Sequence, residues 1–360
     1  MKIAISGPAH SVHLQRWYEG VRSTDPKNEY VLVDSSGLRS PKADFKIFRL
    51  SPKSMVLKPI GFVFNFFIVG MQLIWLKYIF GLDLVHSHWT GDVTSFLVAL
   101  IWRRKQIQNP WGTDILILPE KSILHGLLLR ATYKLTNHFM TDAKHVKEKL
   151  ISMGVSAENI NIIYFGTDVD YFSPGSTSNL RRTYNIDPVS KLIYSNRSLY
   201  PVYDIATIIR AAARLPQYVF VVSGGGPLEA DLKKMAMNLS LENVVFVGRI
   251  PFEDLRDFLR ESDCYVSSST SDAGLAASIA EAMATGTPVV CSEFGDNSEW
   301  VVRTSAGLVF EIGNDLDLAN KIEEVLANPE DFKGGRDKIC EDNNSKLEMQ
   351  KATEIYSKVI

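Results

Sequence analysis

SSSTSDAGLAASIAEAMATGTPVV, residues 267–290, is the most informative stretch of the sequence. A hydroxyl-rich loop is followed by small residues and then by a segment that favours a helix, which Gly286 would end. Pro288 opens a new apolar run, so the stretch predicts the helix and the second strand of a βαβ unit. Asp272 lies where its side chain could cap a helix that begins near Ala273.

The predicted start of this helix has the properties of an anion-binding site. A helix N-terminus presents unpaired N–H groups and the positive end of the helix dipole. The small residues Ala273, Gly274 and Ala276 would leave that end open to a ligand. Glu281 lies about two turns beyond Gly274 and on the same helix face. We therefore predict that this segment binds a diphosphate.

The same alternation of strand-like and helix-like segments extends along the whole chain. In the first half the predicted strands are Lys2–Ser6, Tyr30–Val33, Phe45–Leu50, Leu82–His86, Gln106–Asn109, Phe139–Thr141 and Ile160–Tyr164. In the second half they are Leu192–Ser195, Val219–Ser223, Val244–Val247, Cys264–Ser267, Pro288–Cys291 and Gly307–Phe310. This pattern predicts parallel sheets covered on both faces, with ligands beyond the carboxyl ends of the strands.

A chain of 360 residues is long enough for two such domains. We predict an α/β protein with two Rossmann-like, doubly wound domains, 1–171 and 189–340, that face a cleft. Residues 172–188 are rich in Ser, Thr, Asn and Pro and are interpreted as the linker. Residues 341–360 are predicted to form a C-terminal helix that could cross back to the first domain.

The composition is that of a globular protein, with 46% hydrophobic and 22% charged residues. The three cysteines lie far apart without a CxxC pair, which argues against a disulfide framework or a zinc site and fits a reducing compartment. The N-terminal apolar stretch is too short for a signal peptide and is interpreted as a strand. We therefore expect a cytoplasmic protein, with the inner face of the membrane as a second possible location.

Charge is unevenly distributed between the two halves of the chain. Residues 1–170 carry 20 Lys and Arg against 14 Asp and Glu, whereas residues 171–360 carry 19 against 27. A basic first half would suit an anionic membrane surface or a phosphorylated acceptor. Chance asymmetry between two domains is the alternative.

Residues 59–76 form an apolar segment of 18 residues without a formal charge, and six of the first nine are Phe, Ile or Val. The length approaches that of a membrane span. A span is disfavoured because the segment lies between two strands that join the same sheet. The remaining alternatives are a helix buried in the protein and a helix that lies in a lipid interface, flanked by Lys53, Lys58 and Lys77.

Several motifs, taken in order, resemble the family 4 retaining glycosyltransferases, also called glycosyl transferases group 1, which have the GT-B architecture; the motifs of the second half resemble the donor-binding half of that family. In the second half these motifs are GGGPL at 224–228, VGRIP at 247–251, EAMATGTPVV at 281–290, GDNSEW at 295–300 and AGLVF at 306–310. In the first half they are DLVHSHW at 83–89, WGTD at 111–114 and FGTDVDYF at 165–172. The resemblance covers nearly the whole chain.

The resemblance implies roles for individual residues. Glu281 corresponds to the second acid of the E-x7-E element, which binds the ribose of the donor, and Arg197 to the arginine that neutralises the diphosphate. Arg249 and Ile250 match the segment that packs around the base. The remaining donor-binding candidates are the small or apolar residues Gly225, Ala273, Gly274, Leu275 and Ala276.

The sequence departs from the family pattern at three positions. The first acid of the E-x7-E element would fall on Ala273, and Asp272, one residue earlier, can replace it only if it lies off the helix. The lysine of the family would fall on Val202, which removes one cation from the diphosphate site. The histidine often found before Gly-Thr-Asp is Trp111 here. His13, His88, Trp111 and Asp114 are therefore the candidates for sugar or acceptor contacts.

The implied activity is the transfer of a sugar from a UDP- or GDP-linked donor to an acceptor hydroxyl, with retention of configuration. We expect a glycan or lipid-linked acceptor, a peripheral membrane contact through residues 59–76, no nucleic-acid partner, no cofactor and no metal. Asp168 and Asp170 have DxD spacing but lie in the segment that joins the domains. A catalytically silent GT-B subunit is the alternative; an NAD(P)-dependent oxidoreductase is disfavoured because no GxGxxG follows the first strand.

Overall fold

The computed structural model describes residues 1–36, 46–50, 58–176, 180–272 and 274–359, with the backbone alone for residues 58–65. It divides into two compact units. The first contains Met1–Gly166 together with Ser345–Ile360, and the second contains Thr167–Asn344. Each unit is built on its own parallel sheet, as the alternation of strands and helices predicted.

The first unit contains a seven-stranded sheet in the order β3-β2-β1-β4-β5-β6-β7, and every pairing is parallel. The strands are β1 (Lys2–Gly7), β2 (Glu29–Asp34), β3 (Ile47–Arg49), β4 (Leu84–His88), β5 (Gln106–Asn109), β6 (Phe139–Thr141) and β7 (Ile160–Ile162). The order reverses between β1 and β4, so the crevice expected at a topological switch point lies beyond their carboxyl ends.

In the described part of the first unit, six α-helices precede the last strand: α1 (Val12–Thr24), α2 (Lys58–Tyr78), α3 (Val93–Trp102), α4 (Leu118–Lys121), α5 (Ile123–Lys134) and α6 (Lys144–Ser152). The apolar segment 59–76 lies in α2, and Val69, Leu73 and Leu76 are buried in a cluster with Leu97 and Trp102 of α3. Among the described residues no helix is long and apolar enough to cross a bilayer. The segment is therefore a helix packed on the sheet layer along one of its faces.

The second unit contains a six-stranded parallel sheet in the order β10-β9-β8-β11-β12-β13. Its strands are β8 (Leu192–Ser195), β9 (Val219–Ser223), β10 (Val244–Gly248), β11 (Cys264–Ser267), β12 (Val289–Ser292) and β13 (Gly307–Phe310). Its helices are α7 (Leu180–Thr183), α8 (Ile205–Arg214), α9 (Glu229–Asn238), α10 (Phe252–Glu261), α11 (Ala277–Thr285), α12 (Gly295–Arg303), α13 (Asp315–Ala327) and α14 (Gly335–Asp342). The two sheets confirm the predicted pair of doubly wound domains.

The last helix, α15 (Ser345–Val359), returns to the first unit. It packs along α1, where Met349 and Tyr356 join a buried cluster that contains Leu14 and Trp17. Gly20 makes this packing possible, since a Cβ at this position would lie 2.7 Å from the Met349 side chain. The return of the C-terminal helix, which the sequence left open, thus depends on apolar matching between residues more than 300 positions apart.

The division between the units differs from the sequence-based boundaries. It falls at Gly166/Thr167 and Asn344/Ser345, whereas the sequence placed a linker at 172–188. The described part of that stretch belongs to the second unit, where Phe172, Leu180 and Ile186 are buried. The stretch resembled a linker because most of its residues are polar and these three buried apolar residues are widely spaced among them.

Candidate functional site

The carboxyl ends of β8 and β11 meet at the switch point of the second sheet, because these strands are neighbours and the strand order reverses there. Arg197 follows β8 by two residues, and the loop 268–276 follows β11. Arg197 and Asp272, which are 75 positions apart in the sequence, are thereby brought together.

Arg197 is held in a nearly buried ion pair with Asp272. Its Nη2 atom lies 2.5 Å from Asp272 Oδ1, and the two side chains are 10% and 13% exposed. Nη1 donates to Ser278 Oγ at 3.0 Å, and the guanidinium lies over the Tyr203 ring at 4.3 Å. The remaining nitrogen, Nε, is buried and has no hydrogen-bond partner among the described residues. The site therefore presents a fixed cation that retains an unused donor.

Asp272 does not cap a helix, contrary to the sequence-based interpretation. Helix α11 begins at Ala277, and the N–H of Ala276 donates to Asn297 Oδ1 at 2.8 Å. Asn297 Nδ2 in turn donates to Asp272 Oδ2 at 2.9 Å. Asp272 thus links Arg197 to the side chain of Asn297, which accepts from the backbone N–H just before the helix. Asp272 also lies off the helix, as a replacement for the first acid of the family would require.

The later start of α11 also changes the predicted relation between Gly274 and Glu281. Gly274 and Leu275 lie in a bend before the helix, so Gly274 and Glu281 do not share a helix face. Ala273 lies outside the described residues. Glu281 is in the second turn of α11 and only 6% exposed.

The three glycines after β9 are explained by close backbone approaches. A Cβ on Gly226 would lie 2.3 Å from the Leu199 carbonyl oxygen, and Gly224 has a φ of +123°. A Cβ on Gly225 would lie 3.1 Å from Arg249 Nε, so the exposed Arg249 side chain passes over this turn. Ile250 follows it and is half-buried. These residues form a turn in which a side chain at Gly224 or Gly226 would be strained or obstructed.

Asn297 and Ser278 are site residues that the sequence reasoning did not assign. Both contact the pair formed by Arg197 and Asp272, Asn297 through its amide and Ser278 through its hydroxyl. Asn297 lies within the GDNSEW motif, and that motif could have indicated it. Ser278 follows a run of small residues, and no motif distinguishes it from them.

In the first unit two histidines are buried at the end of β4. His88 Nδ1 accepts from Trp111 Nε1 at 3.2 Å, and His86 Nδ1 lies 2.8 Å from the Tyr356 hydroxyl. Trp17 Nε1 donates to the same hydroxyl at 2.9 Å, so this hydroxyl is free to donate to His86. Burial lowers the pKa of His86 to about 3 and that of His88 well below its ordinary value. Both imidazoles are therefore neutral at pH 7.

Asp114 is fully buried and organises two loops. Its Oδ2 accepts from the Thr90 N–H at 2.7 Å, and its Oδ1 accepts from the Trp111 N–H at 2.8 Å. Burial raises the pKa of this carboxyl to about 6 against the effect of these hydrogen bonds. The Asp114 carboxylate is enclosed by the backbone that it holds. Asp114 is therefore a residue that positions these loops, and not one that is available for direct contact with a sugar.

Of the other first-unit candidates, His13 is exposed and Trp111 is half-buried, while His88 is enclosed. The His13 ring lies 5.3 Å from the Phe165 ring and 6.1 Å from that of Trp111. Loss of hydration, together with nearby Arg16, lowers the pKa of His13. The described residues contain no group of three or more His, Cys, Asp or Glu side chains that could hold a metal ion.

Two parallel α/β units with a C-terminal helix that returns to the first define the GT-B class. A solved structure of Anabaena HepE in complex with UDP has the same fold, with a TM-score of 0.80 and 18% identity over 99% of this chain and 100% of that one. A Rickettsia africae glycosyltransferase matches with a TM-score of 0.79 and 17% identity over 99% and 98% of the two chains.

The second unit also matches a known family in sequence. Residues 176–343 match the glycosyl transferases group 1 family, which confirms the resemblance identified from the motifs. The amylovoran biosynthesis glycosyltransferase AmsK of Erwinia amylovora is 28% identical over 66% of this chain and 59% of its own length. An uncharacterized glycosyltransferase of Methanocaldococcus jannaschii is 27% identical over 59% and 51%. The matched part thus spans between half and three fifths of these curated relatives.

Proposed function

We propose that the protein transfers a sugar from a nucleoside diphosphate donor to an acceptor hydroxyl, with retention of configuration at the anomeric carbon. The observation that carries this proposal is the enclosed Arg197, held by Asp272 and Ser278 at the switch point of a group 1 glycosyltransferase unit. The leaving group of such a reaction is a nucleoside diphosphate, whose oxygens gain negative charge as the glycosidic bond breaks. A preorganised cation stabilises that charge without reorganisation.

We propose a UDP- or GDP-linked donor. HepE, which shares the fold, was solved with UDP and with UDP-glucose, and this supports a nucleotide sugar as the ligand of the second unit. In this proposal Glu281 binds the ribose hydroxyls, and Arg249, Ile250 and Gly225 surround the base. The bend at Gly274 and Leu275 contacts the donor sugar and phosphate.

The proposal requires neither a metal nor a cofactor, since Arg197 and the start of α11 act on the diphosphate directly. The position of the family lysine is occupied by Val202, whose carbonyl accepts from the Thr270 N–H at 2.8 Å. Arg197 is therefore the main fixed cation that we assign to the diphosphate. For the acceptor we propose a glycan or lipid-linked glycan, with His13 and Trp111 as contacts and the protein at the inner membrane face.

Replacing Arg197 by Ala tests this assignment. The loss of one fixed donor from such a site lowers the rate by about 10²–10³. Arg303→Ala is a matched control, because Arg303 also stacks on an aromatic ring, Trp300 at 3.8 Å, and pairs with an aspartate, Asp342 at 3.4 Å, but lies on the surface. Sugar transfer from a panel of nucleotide sugars, with the anomeric product identified by NMR, should fall in the first variant and persist in the second.

A catalytically silent, donor-binding subunit is a second candidate, favoured by two features of the site. The family lysine is missing, and Asp272 already neutralises Arg197. This candidate predicts that UDP or GDP raises the melting temperature of the wild type while no nucleotide sugar of the panel is hydrolysed or transferred. Transfer by the wild type that depends on Arg197 would eliminate it.

A further inference from the structure

Large apolar side chains are exposed in a cluster on the first unit. On α2, Phe67 and Met71 are both 63% exposed and Tyr78 is 69% exposed. With Ile74 and Trp75 they recur at intervals of three and four residues, so they occupy one face of the helix. The opposite face holds Val69, Leu73 and Leu76 in the core. The outer face is therefore apolar although folding does not require it.

Exposed apolar side chains also occur on the neighbouring helices. Helix α3 packs against both α2 and α5, so the three lie in one layer. Leu100 of α3 is exposed, and on α5 Ile123 is 83% exposed, followed by Leu124 and Leu127. We call these residues the apolar face: Phe67, Met71, Ile74, Trp75, Tyr78, Ile79, Leu100, Ile123, Leu124 and Leu127.

Exposed basic residues accompany the apolar face. Arg103, Arg104 and Lys105 follow α3 directly, and Lys121, Arg130 and Lys134 lie on or beside α5. The end of α3 is fixed beside the end of α2, because Lys77 Nζ donates to the Ile101 carbonyl at 2.5 Å and Trp102 Nε1 donates to the Leu82 carbonyl at 3.3 Å. The basic turn 103–105 is thus next to the exposed Tyr78 and Ile79.

Acidic residues are scarce in the same region. Residues 58–134 contain eight Lys and Arg but four Asp and Glu. Three of the four acids are engaged in the fold: Asp83 accepts from the Lys2 N–H, Asp92 caps α3 and Asp114 is buried. Glu120 is exposed. The surface around the apolar face is consequently cationic.

We propose that the apolar face docks on the surface of an anionic lipid bilayer. Aromatic side chains such as Trp75 and Tyr78 are favoured at the boundary between headgroups and acyl chains, and clustered Lys and Arg attract anionic headgroups. A second copy of the chain fits less well, because a two-fold interface pairs the patch with itself and would bring two cationic surfaces together. The proposal deepens the proposed function by placing the first unit at the membrane where a lipid-linked acceptor would be found, but docking itself does not require transferase activity.

Vesicle flotation tests this inference with the full-length protein. The probes are vesicles of phosphatidylcholine alone and of phosphatidylcholine mixed with phosphatidylglycerol. We expect the wild type to float with the anionic vesicles, to bind neutral vesicles at least tenfold less, and to be released by salt. Phe67→Ser combined with Met71→Ser and Ile123→Ser should lower binding at least tenfold, as should Arg104→Glu combined with Lys105→Glu.

The matched control is Val189→Ser with Met237→Ser and Val302→Ser, which removes three equally exposed apolar side chains from the second unit and should bind as the wild type does. Equal binding of the apolar-face variant and the control would overturn the proposal. So would a wild-type dimer that the apolar-face variant converts to a monomer, since the face would then be a protein interface. The UDP-induced rise in melting temperature is measured for every variant as well. If this rise is the same in all of them, donor binding is intact, and a failure of docking is then distinguished from a failure of the proposed function.

Discussion

At the residue scale, the pairing of Arg197 with Asp272 governs the chemistry of the site. A diphosphate that binds Arg197 competes with the Asp272 carboxylate, which already lies 2.5 Å from the guanidinium. Both side chains are nearly buried, so removing one partner leaves the other charge poorly compensated. Asp272, itself held by Asn297, therefore has two opposed effects: it holds Arg197 in place, and it reduces the positive charge available to a donor.

Asp272→Ala should reveal both effects. Without ligand we expect the variant to lose about 1–3 kcal/mol of unfolding free energy, because a buried cation loses its partner. UDP should raise the melting temperature of this variant more than that of the wild type, since the diphosphate replaces the missing anion. Asp342→Ala, which removes the partner of the surface Arg303, is the control and should change neither quantity. An equal UDP response in wild type and D272A would contradict the assignment of Arg197 to the diphosphate.

At the element scale, the end of β4 places two neutral histidines in the core of the first unit. His86 and His88 have ring centroids 4.2 Å apart, and Trp17 packs edge-on against both. In the unfolded chain each would titrate near pH 6.5, whereas in the folded unit both pKa values are lowered by burial. Below pH 6.5 the unfolded state thus binds more protons than the folded state, so the free energy of unfolding decreases as the pH falls.

The expected loss is about 1.4 kcal/mol of unfolding free energy per pH unit for each histidine below pH 6.5. Asp114 acts in the opposite direction below its pKa of about 6, since the folded state then binds a proton that the unfolded state does not. The net slope between pH 6 and pH 4 should therefore be that of about one proton. Urea unfolding should show a steeper slope for Asp114→Asn and a nearly flat one for His86→Gln; unchanged slopes would contradict the burial of these groups.

At the scale of the whole molecule, the last helix ties the end of the chain to its first residues. The Tyr356 hydroxyl of α15 accepts from Trp17 and contacts His86, which lie 339 and 270 positions away in sequence. Segments far apart in the sequence therefore stabilise one unit, and the first unit is complete only after α15 has been synthesised.

Tyr356→Phe should destabilise the first unit by about 1–3 kcal/mol, because the Trp17 Nε1–H and His86 Nδ1 are left buried without a partner. Tyr200→Phe is the control, as Tyr200 is about half exposed. Urea unfolding followed by tryptophan fluorescence would measure the difference, and equal midpoints for the two variants would show that the hydroxyl contributes nothing to the fold.

The strands and their parallel arrangement could be anticipated because each strand is a local apolar run and each crossover a local helix. The motifs around Gly224, Gly248 and Glu281 indicated the resemblance to the glycosyl transferases group 1 for the same reason, since they lie within short segments. The start of α11 was misplaced by four residues because the amide of Ala276, just before the helix, is satisfied by Asn297, a side chain from another helix. A local sequence pattern cannot indicate a hydrogen-bond partner that belongs to a different helix.

Local periodicity and motif order were thus sufficient to predict the two parallel sheets, the resemblance to the glycosyl transferases group 1 and the position of Arg197 after a strand. Which groups meet was decided by packing: Asp272 with Arg197, Asp114 with the backbone of two loops, and α15 with α1. These contacts join residues up to 339 positions apart, and their free energy depends on burial and distance, which exist only after the chain has folded.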